Sequence, residues 1–394
     1  MKRIGDFILA ALLSIGLILS LDALTNSINI EKFAWDFRYY IAMAQDGFKA
    51  HPLASPFAYR YAIPLLVNAI HHWLGFSIET GFRGLAYLGA FLQLMGVFTF
   101  TAWFARSRKA AFIALLVTGF SLFHVKFLLF DIYRPDHLTY AFILLGTYFA
   151  FQRKFIPLLI VTLIASQTRE FAIIPLIAHL FSFARTEKRR SFLSQSWVSV
   201  LTLILALGLP RLLIPVTEDF QFVSLTPDGL LRGLLAPLIF TRDINFVYTL
   251  IAYLLPILMI ASVPQIKSAY LSLSDEIRKF LLVYTVIVLF FSFLGGTDFP
   301  RFATYLFAPQ IILLGVLIDK TNNILIVIML IAVFIFNLLW LPVPLASVEA
   351  YRDFYGGYDV RLSASTLWRI VELASFILLG WFVRKKISFE PALS

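Results

Sequence analysis

The 394-residue chain contains no cysteine, and only 14% of its residues are charged. The absence of cysteine excludes disulfide bonds, thiolate nucleophiles and thiolate metal ligands. The sequence also contains no Walker-type phosphate loop, no GxSxG turn and no HExxH pair. Local sequence therefore gives no support to a P-loop nucleotide site, a serine hydrolase or a zinc peptidase.

Apolar residues are abundant: 60% of the chain is hydrophobic, 41 residues are Phe, and the mean hydropathy is +0.84. Soluble domains are about half apolar and about a quarter charged, so this composition predicts an all-α, polytopic integral membrane protein. A spanning helix needs about 20 mostly apolar residues, and some of the candidates are shorter, so we expect about ten to twelve crossings. The candidate spans lie at roughly 5–24, 84–105, 110–130, 137–151, 154–166, 171–184, 197–215, 246–264, 279–295, 302–318, 323–341 and 367–383.

Basic residues concentrate in short loops, which predicts the orientation of the chain. The first apolar segment follows Lys2 and Arg3 and lacks a small-x-small cleavage site, so we interpret it as a retained helix. With Lys2 in the cytoplasm and alternating sides, the loops at 106–109, 152–154, 185–190, 267–279, 319–323 and 384–386 are cytoplasmic. This predicts cytoplasmic termini, an outer segment at 25–83, and a multi-pass protein of a bacterial plasma membrane. The net charge of +10 is explained by these loops and does not predict a nucleic-acid partner.

Charged residues recur at the predicted outer ends of the spans, where they are costly unless they face a polar cavity or a partner. We therefore predict a charged cavity that faces outward. The candidate site residues are Asp36, Arg38, Tyr59, Arg60, Asp131, Arg134, Asp136, Arg169, Glu170 and Arg301.

The stretch FAWDFRYYIAMAQDGF at 33–48 predicts a short helix that lies in the membrane interface. Its apolar residues recur at spacings of three and four, and the charged ones, Asp36 and Arg38 among them, are predicted to lie largely off that face. Trp35, Tyr39 and Tyr40 are expected at the lipid–water boundary. Asp36 is either a solvated residue of an anchor or a group that points into the cavity. A second short apolar helix is predicted in the stretch at 56–75, after the Tyr59-Arg60-Tyr61 cluster.

The two other acidic stretches leave alternatives open. FDIYRPDHL at 130–138 predicts either a solvated turn or a phosphate site, with Mg²⁺ or Mn²⁺ as a possible cofactor on Asp131 and Asp136. Arg169 and Glu170 interrupt an apolar run. They are either a structural bridge to Asp131 or Asp136, or a functional pair.

Sugar transfer from a lipid-linked donor suits this set of side chains. Arginines bind phosphate through paired donors and remain charged. Nucleotide sugars are normally unavailable outside the cytoplasm, whereas sugars on polyprenyl phosphate are available there. Departure of polyprenyl phosphate needs cations, and the acceptor hydroxyl needs a base. One carboxylate and several arginines are therefore sufficient for an inverting transfer.

The segments WDFRYYIAMAQDG (35–47) and PFAYRYAIP (56–64), followed by the acidic stretch at 131–136, resemble the GT-C superfamily of polytopic glycosyltransferases, which use polyprenyl-phosphate-linked sugars. The resemblance implies that Asp36 is the catalytic base and that two interfacial helices form the first outer loop. It also implies a catalytic module at 1–184 and a variable module at 185–394. Arg38 stands where members often have a second acid. The implied partners are a polyprenyl-phosphate sugar, an acceptor glycan, lipid or protein, and membrane lipids.

Three other classes of protein remain as alternatives. A lipid-linked oligosaccharide polymerase or ligase would share the outer arginines, but is expected to have one very long late outer loop, and the segment at 216–245 is modest. A transporter or flippase is expected to show internal repeats, which the sequence lacks. A structural scaffold has no need for recurrent Asp/Arg pairs at the outer ends of its helices.

Overall fold

The computed structural model describes residues 2–25, 36–51, 53–121, 123–183, 189–219, 240–294, 302–339 and 364–389. Eighteen α-helices lie in these ranges. They are α1 (Lys2–Leu24), α2 (Phe37–Asp46), α3 (Ala62–Leu74), α4 (Ile78–Ala105), α5 (Arg108–Phe120), α6 (Val125–Phe130), α7 (Thr139–Phe151), α8 (Phe155–Ala165), α9 (Ile174–Ser182), α10 (Arg189–Leu203), α11 (Leu209–Leu213), α12 (Phe240–Tyr253), α13 (Leu255–Ile260), α14 (Val263–Leu271), α15 (Asp275–Leu294), α16 (Phe307–Leu317), α17 (Asn323–Leu339) and α18 (Ala364–Phe389).

Short 3₁₀ and π-helical turns interrupt or extend these helices. The 3₁₀ turns are Gly47–Lys49, Phe57–Tyr59, Glu170–Ile173, Thr304–Leu306 and Ile318–Lys320, and a π-helical turn at Ile204–Gly208 joins α10 to α11. Two two-residue strands, β1 (Ala54–Ser55) and β2 (Glu218–Asp219), pair in parallel. The backbone N–H of Thr217 also donates to the carbonyl of Leu53, which ties the segment before α3 to the chain after α11.

The chain is an all-α membrane protein by the length and composition of its helices. Within the described ranges, four helical segments are long and apolar enough to cross a membrane: Ile4–Leu24, Ile78–Ala105, Arg108–Phe130 and Phe192–Leu213. Large apolar side chains on these segments lie at the surface, with Leu12 62%, Trp197 73% and Leu212 84% exposed. Burying them in hydrocarbon removes the cost of exposing them to water. Every predicted span contains helical residues, and the count of ten to twelve crossings stays a prediction.

The residues form two compact units. The first unit consists of 1–96, 127–222 and 275–288, and the second of 97–126, 223–274 and 289–394. The prediction of a catalytic module at 1–184 concerns function and is not tested by this division.

Local sequence explains several helix ends. Gly75 ends α3 in the left-handed region (φ 72°), where its N–H donates to the carbonyl of His71, and glycine adopts this conformation without steric cost. Ser107 begins α5 by accepting a hydrogen bond from the N–H of Ala110, which satisfies one free donor of the first turn. Both predicted helices of the first loop are present as α2 and α3.

The buried face of α2 differs in part from the prediction. Phe37, Tyr40 and Ala44 are buried as expected, whereas Phe48 is 44% exposed. Tyr39 is also buried, because its ring stacks on Phe57 with centroids 4.9 Å apart. Both rings therefore pack against other protein residues, and the expectation that Tyr39 and Tyr40 lie at the level of the lipid–water boundary stays a prediction. Trp35 and Phe33 lie outside the described residues.

Candidate functional site

An ion pair joins Arg60, just before α3, to Glu170, which begins the 3₁₀ turn before α9. Arg60 Nε lies 3.1 Å from Glu170 Oε1 and 3.2 Å from Oε2. Arg60 Nη1 donates to the hydroxyl of Tyr40 at 3.2 Å. Three segments that are distant in sequence, α2, the start of α3 and the 3₁₀ turn before α9, therefore meet at one guanidinium group.

Arg169 extends this contact into the interior. Its side chain is 4% exposed, and its Nε lies 3.5 Å from Asp136 Oδ1 and 3.7 Å from Glu170 Oε2. The backbone of Arg169 is extended (φ −161°, ψ 139°). The predicted bridge from Arg169 to Asp136 is therefore present, while Arg169 Nη1 is buried without a hydrogen-bond acceptor among the described residues. We call Tyr40, Arg60, Asp136, Arg169 and Glu170 the arginine cluster.

The charges of the arginine cluster balance, with two guanidinium groups and two carboxylates. Burial is the largest influence on Glu170 and raises its pKa, but the positive charges of Arg60 and Arg169 together outweigh it and lower the pKa to about 2. Glu170 is therefore a carboxylate at neutral pH and a weak proton acceptor. It is also the most accessible charged member, with a quarter of its side chain exposed, compared with 11% for Arg60.

Asp131 and Arg134, the other candidate residues of the acidic stretch at 131–136, form a separate pair. We call this stretch the acidic loop. Arg134 Nε donates to Asp131 Oδ2 at 2.6 Å, and both side chains are nearly buried. The Arg134 guanidinium also lies over the ring of Phe127, 3.7 Å from its centroid. His137 Nε2 donates to the carbonyl of Ile132 at 2.5 Å and fixes the turn between Asp131 and Asp136.

Asp36 immediately precedes α2, one helical turn before Tyr40 of the arginine cluster. Its backbone is already helical (φ −51°, ψ −29°), so Asp36 and Tyr40 are four residues apart on one face, with Cβ atoms about 5–6 Å apart. Tyr40 contacts Arg60, and the neighbouring Phe37 ring lies 5.9 Å from Tyr133 of the acidic loop. Asp36 is half-buried. Asp36 immediately precedes the first residue of α2, and the prediction that it lies largely off the apolar face stays a prediction.

The two remaining described candidates, Arg38 and Tyr59, make other contacts. Arg38 is exposed and pairs with the hydroxyl of Tyr39, over whose ring it lies. Tyr59 is half-buried, and the guanidinium of Arg211 lies 4.9 Å from its ring centroid. Arg301 lies outside the described residues.

A second polar group, which sequence analysis missed, lies near the N-terminal end of α4. Tyr87 Oη donates to Asp22 Oδ2 at 2.7 Å, and Arg83 bridges Asp22 at 3.6 Å and Glu79 at 3.1 Å. The ring of Tyr133, in the acidic loop, lies 5.2 Å from that of Phe82 on α4. Burial raises the pKa of Tyr133, and the negative charge of Glu79 raises it further, while the positive charge of Arg83 lowers it. The signal in the sequence was the spacing of four between Glu79, Arg83 and Tyr87, which places them on one helix face.

The carboxylates proposed as metal ligands are paired with arginines. Asp131 contacts Arg134 and Asp136 contacts Arg169. Among the described residues, no group of three or more His, Asp or Glu side chains is placed to hold a metal ion. The described part of the site is therefore a set of guanidinium–carboxylate pairs.

Compared with protein-family models, curated proteins and solved structures, the chain matches none. The resemblance to the GT-C superfamily thus stays a prediction, and the function has to be inferred from the geometry of the cluster.

Proposed function

We propose that the chain is a membrane glycosyltransferase that moves a sugar from a polyprenyl-phosphate donor to an acceptor hydroxyl at the extracytoplasmic face, with inversion. The observation that carries this proposal is the arginine cluster. In it Arg60 and Arg169 share Glu170, and Arg60 also contacts Tyr40 on α2, the helix that follows Asp36. Transfer from a phosphate leaving group needs at least positive charges to stabilise the departing phosphate and one carboxylate to act as the base.

Glu170 marks the position of the donor phosphate. A carboxylate presents two oxygens to an arginine much as a phosphate does, and Glu170 is the charged member of the cluster that solvent reaches most. In the proposed complex the phosphate displaces Glu170 from Arg60 and is held between Arg60 and Arg169. The hydrogen bond to Tyr40 holds Arg60 in one orientation. Binding of the donor therefore costs less side-chain conformational entropy.

Asp36 is the base in this proposal. The acceptor oxygen forms a bond to the anomeric carbon while the bond from that carbon to the phosphate oxygen breaks. Polyprenyl phosphate leaves with the electron pair and is stabilised by the arginines, and Asp36 takes the proton of the acceptor hydroxyl. A single displacement inverts the anomeric configuration. Glu170 is unsuited to this role because of its low pKa, and Asp136 is held by Arg169.

Binding of polyprenyl phosphate to the purified protein tests the phosphate position. In native mass spectrometry we expect wild-type protein to retain polyprenyl phosphate, and Arg60→Ala to weaken this binding by about tenfold or more. Glu170→Gln should bind at least as tightly as wild type, because the competing carboxylate charge is removed while the shape is kept. Lys279→Ala is the control, since Lys279 is exposed and pairs with Asp275 on its own helix. Equal binding by wild type, Arg60→Ala and Lys279→Ala would contradict the proposal.

A further inference from the structure

A cavity of about 540 Å³ lies in the second unit, and none of the residues that line it belongs to the arginine cluster. It is lined by the start of α14, by the segment that joins α16 to α17, and by the C-terminal part of α18. Some lining residues from each segment belong to loops predicted to be cytoplasmic, at 267–279, 319–323 and 384–386.

The charged residues that line the cavity are all basic. They are Lys320, Arg384 and Lys385, and none of the lining residues is Asp or Glu. Polar side chains such as Ser262, Ser268 and Asn322 complete the wall. Such a lining offers hydrogen-bond donors and positive charge to an anion.

Close packing of α18 on α13 fixes one wall. A Cβ at Gly380 would lie 2.7 Å from the carbonyl oxygen of Met259, so only glycine allows the two backbones to approach this closely. One turn further along α18, Arg384 Nη1 donates to the carbonyls of Leu258 and Met259, each at 2.8 Å. These carbonyls belong to the last turn of α13, where a positive charge is favoured. These two hydrogen bonds therefore hold the positive charge of Arg384 at a fixed position in the wall of the cavity.

The opposite edge of α18 carries an aromatic side chain typical of a membrane interface. Trp381 is half exposed, and Lys385 Nζ lies 5.4 Å from its ring centroid. Tryptophan is enriched at the level of lipid headgroups, and lysine beside it reaches toward the phosphates. The cavity thus combines a basic interior with a rim suited to lipid.

We propose that this cavity binds the phosphate of an anionic phospholipid headgroup from the cytoplasmic leaflet. Basic pockets between membrane helices on that side recognise such headgroups. The phosphate lies between Lys320 and Lys385, with Arg384 as the fixed charge of the wall, and the acyl chains leave past Trp381. This site is independent of the proposed glycosyl transfer, because it uses none of the residues of the arginine cluster.

The test measures retention of phosphatidylglycerol by the full chain. Wild type, Lys320→Gln/Lys385→Gln and Lys386→Gln are reconstituted in phosphatidylcholine with phosphatidylglycerol, extracted, and examined by native mass spectrometry. Lys386 is a matched control, since it is exposed, adjacent to Lys385 and not part of the cavity lining. Each lysine removed should weaken retention by about fivefold, whereas Lys386→Gln should retain the lipid. Lys320→Arg/Lys385→Arg keeps both charges and should also retain it.

Two results would overturn the proposal. One is equal retention of phosphatidylglycerol by wild type and Lys320→Gln/Lys385→Gln. The other is displacement of phosphatidylglycerol by glycerol 3-phosphate at comparable concentration, which would make the cavity a site for a soluble phosphate compound. A normal size-exclusion profile of the double variant shows that it is folded, so that loss of retention by this variant, with the control unaffected, supports the lipid site.

Discussion

Arg60 Nε lies 3.1 and 3.2 Å from the two carboxylate oxygens of Glu170, although 110 residues separate the pair in the chain. This contact joins the first loop to the turn before α9, and Arg169 continues it to Asp136 of the acidic loop. Three loops that are separate in the sequence are thereby held in one network. The network explains why charged residues recur at these helix ends: they compensate one another in an apolar environment.

Arg60→Ala should reduce the stability of the folded protein. Removal of the guanidinium leaves Glu170 with one cation fewer and the hydroxyl of Tyr40 without its donor, so we expect a loss of about 1.5–3 kcal/mol. The unfolding midpoint of the purified protein measures this effect. Lys279→Ala removes an exposed ion pair and should cost less than about 1 kcal/mol. Equal midpoints for the two variants would show that the Arg60–Glu170 pair does not stabilise the fold.

Acid should weaken the network through Glu170. The pKa of Glu170 is lowered from an ordinary value of 4.5 to about 2 in the folded protein. A lowered folded-state pKa stabilises the protein above the unfolded-state pKa, and the contribution is lost as the pH falls from about 4.5 toward 2. Glu170→Gln cannot titrate, so its unfolding midpoint should fall less steeply across this range than that of wild type. Parallel curves for the two proteins would contradict the assigned environment of Glu170.

Much of the helical fold could be predicted from the sequence. Apolar length predicted segments that all contain helical residues, and spacings of three and four predicted α2. The breaks inside predicted spans were not visible, such as the interruption between α13 and α14 at Ala261 and Ser262, because apolar composition continues across them. The pairing of Ala54 with Glu218 was also not predictable, since nothing local to either segment indicates a partner 164 residues away.

The candidate site was predictable in its residue types and only partly in its pairs. A charge that interrupts an apolar run needs a partner or a function. A bridge from Arg169 to Asp131 or Asp136 was one of the two alternatives, and the structure contains the contact with Asp136. The Arg60–Glu170 contact depends on how α3 packs beside the turn before α9, which no local pattern encodes. Tyr39 was expected at the membrane surface because isolated aromatic residues favour it, and its stacking on Phe57 was not predicted.

Gly89 should be intolerant of any side chain. A Cβ there would lie 2.3 Å from the carbonyl oxygen of His137, so Gly89→Ala has to push α4 away from the loop that carries Asp136. Gly84 lies on the same helix with nothing within 4 Å of its Cβ position, and Gly84→Ala should stabilise the helix by about 1 kcal/mol. The unfolding midpoint should therefore fall for Gly89→Ala and hold or rise for Gly84→Ala. A fall of equal size in both would indicate a general effect on α4.

The predicted orientation can be tested in intact cells, because the chain has no cysteine of its own. His51 and Ser274 are both exposed in the structure. Cysteine at position 51 should react with a membrane-impermeant maleimide, and cysteine at position 274 should react only after the cells are opened. The reverse pattern would place the arginine cluster on the cytoplasmic side, where lipid-linked sugars are not the expected donors.

The most direct test of the account is the transfer reaction of Asp36→Asn in a reconstituted system. Wild type, Asp36→Asn and Asp46→Asn are supplied with a panel of polyprenyl-phosphate hexoses and pentoses and with the glycans and lipids of the host envelope as acceptors. Asp46 is a matched control, since it is exposed at the other end of α2. We predict a product of inverted anomeric configuration from wild type and Asp46→Asn. Turnover should fall by about 10²–10⁴-fold in Asp36→Asn, while that variant still binds polyprenyl phosphate. Near-normal turnover by Asp36→Asn, or a product with retained configuration, would contradict the account.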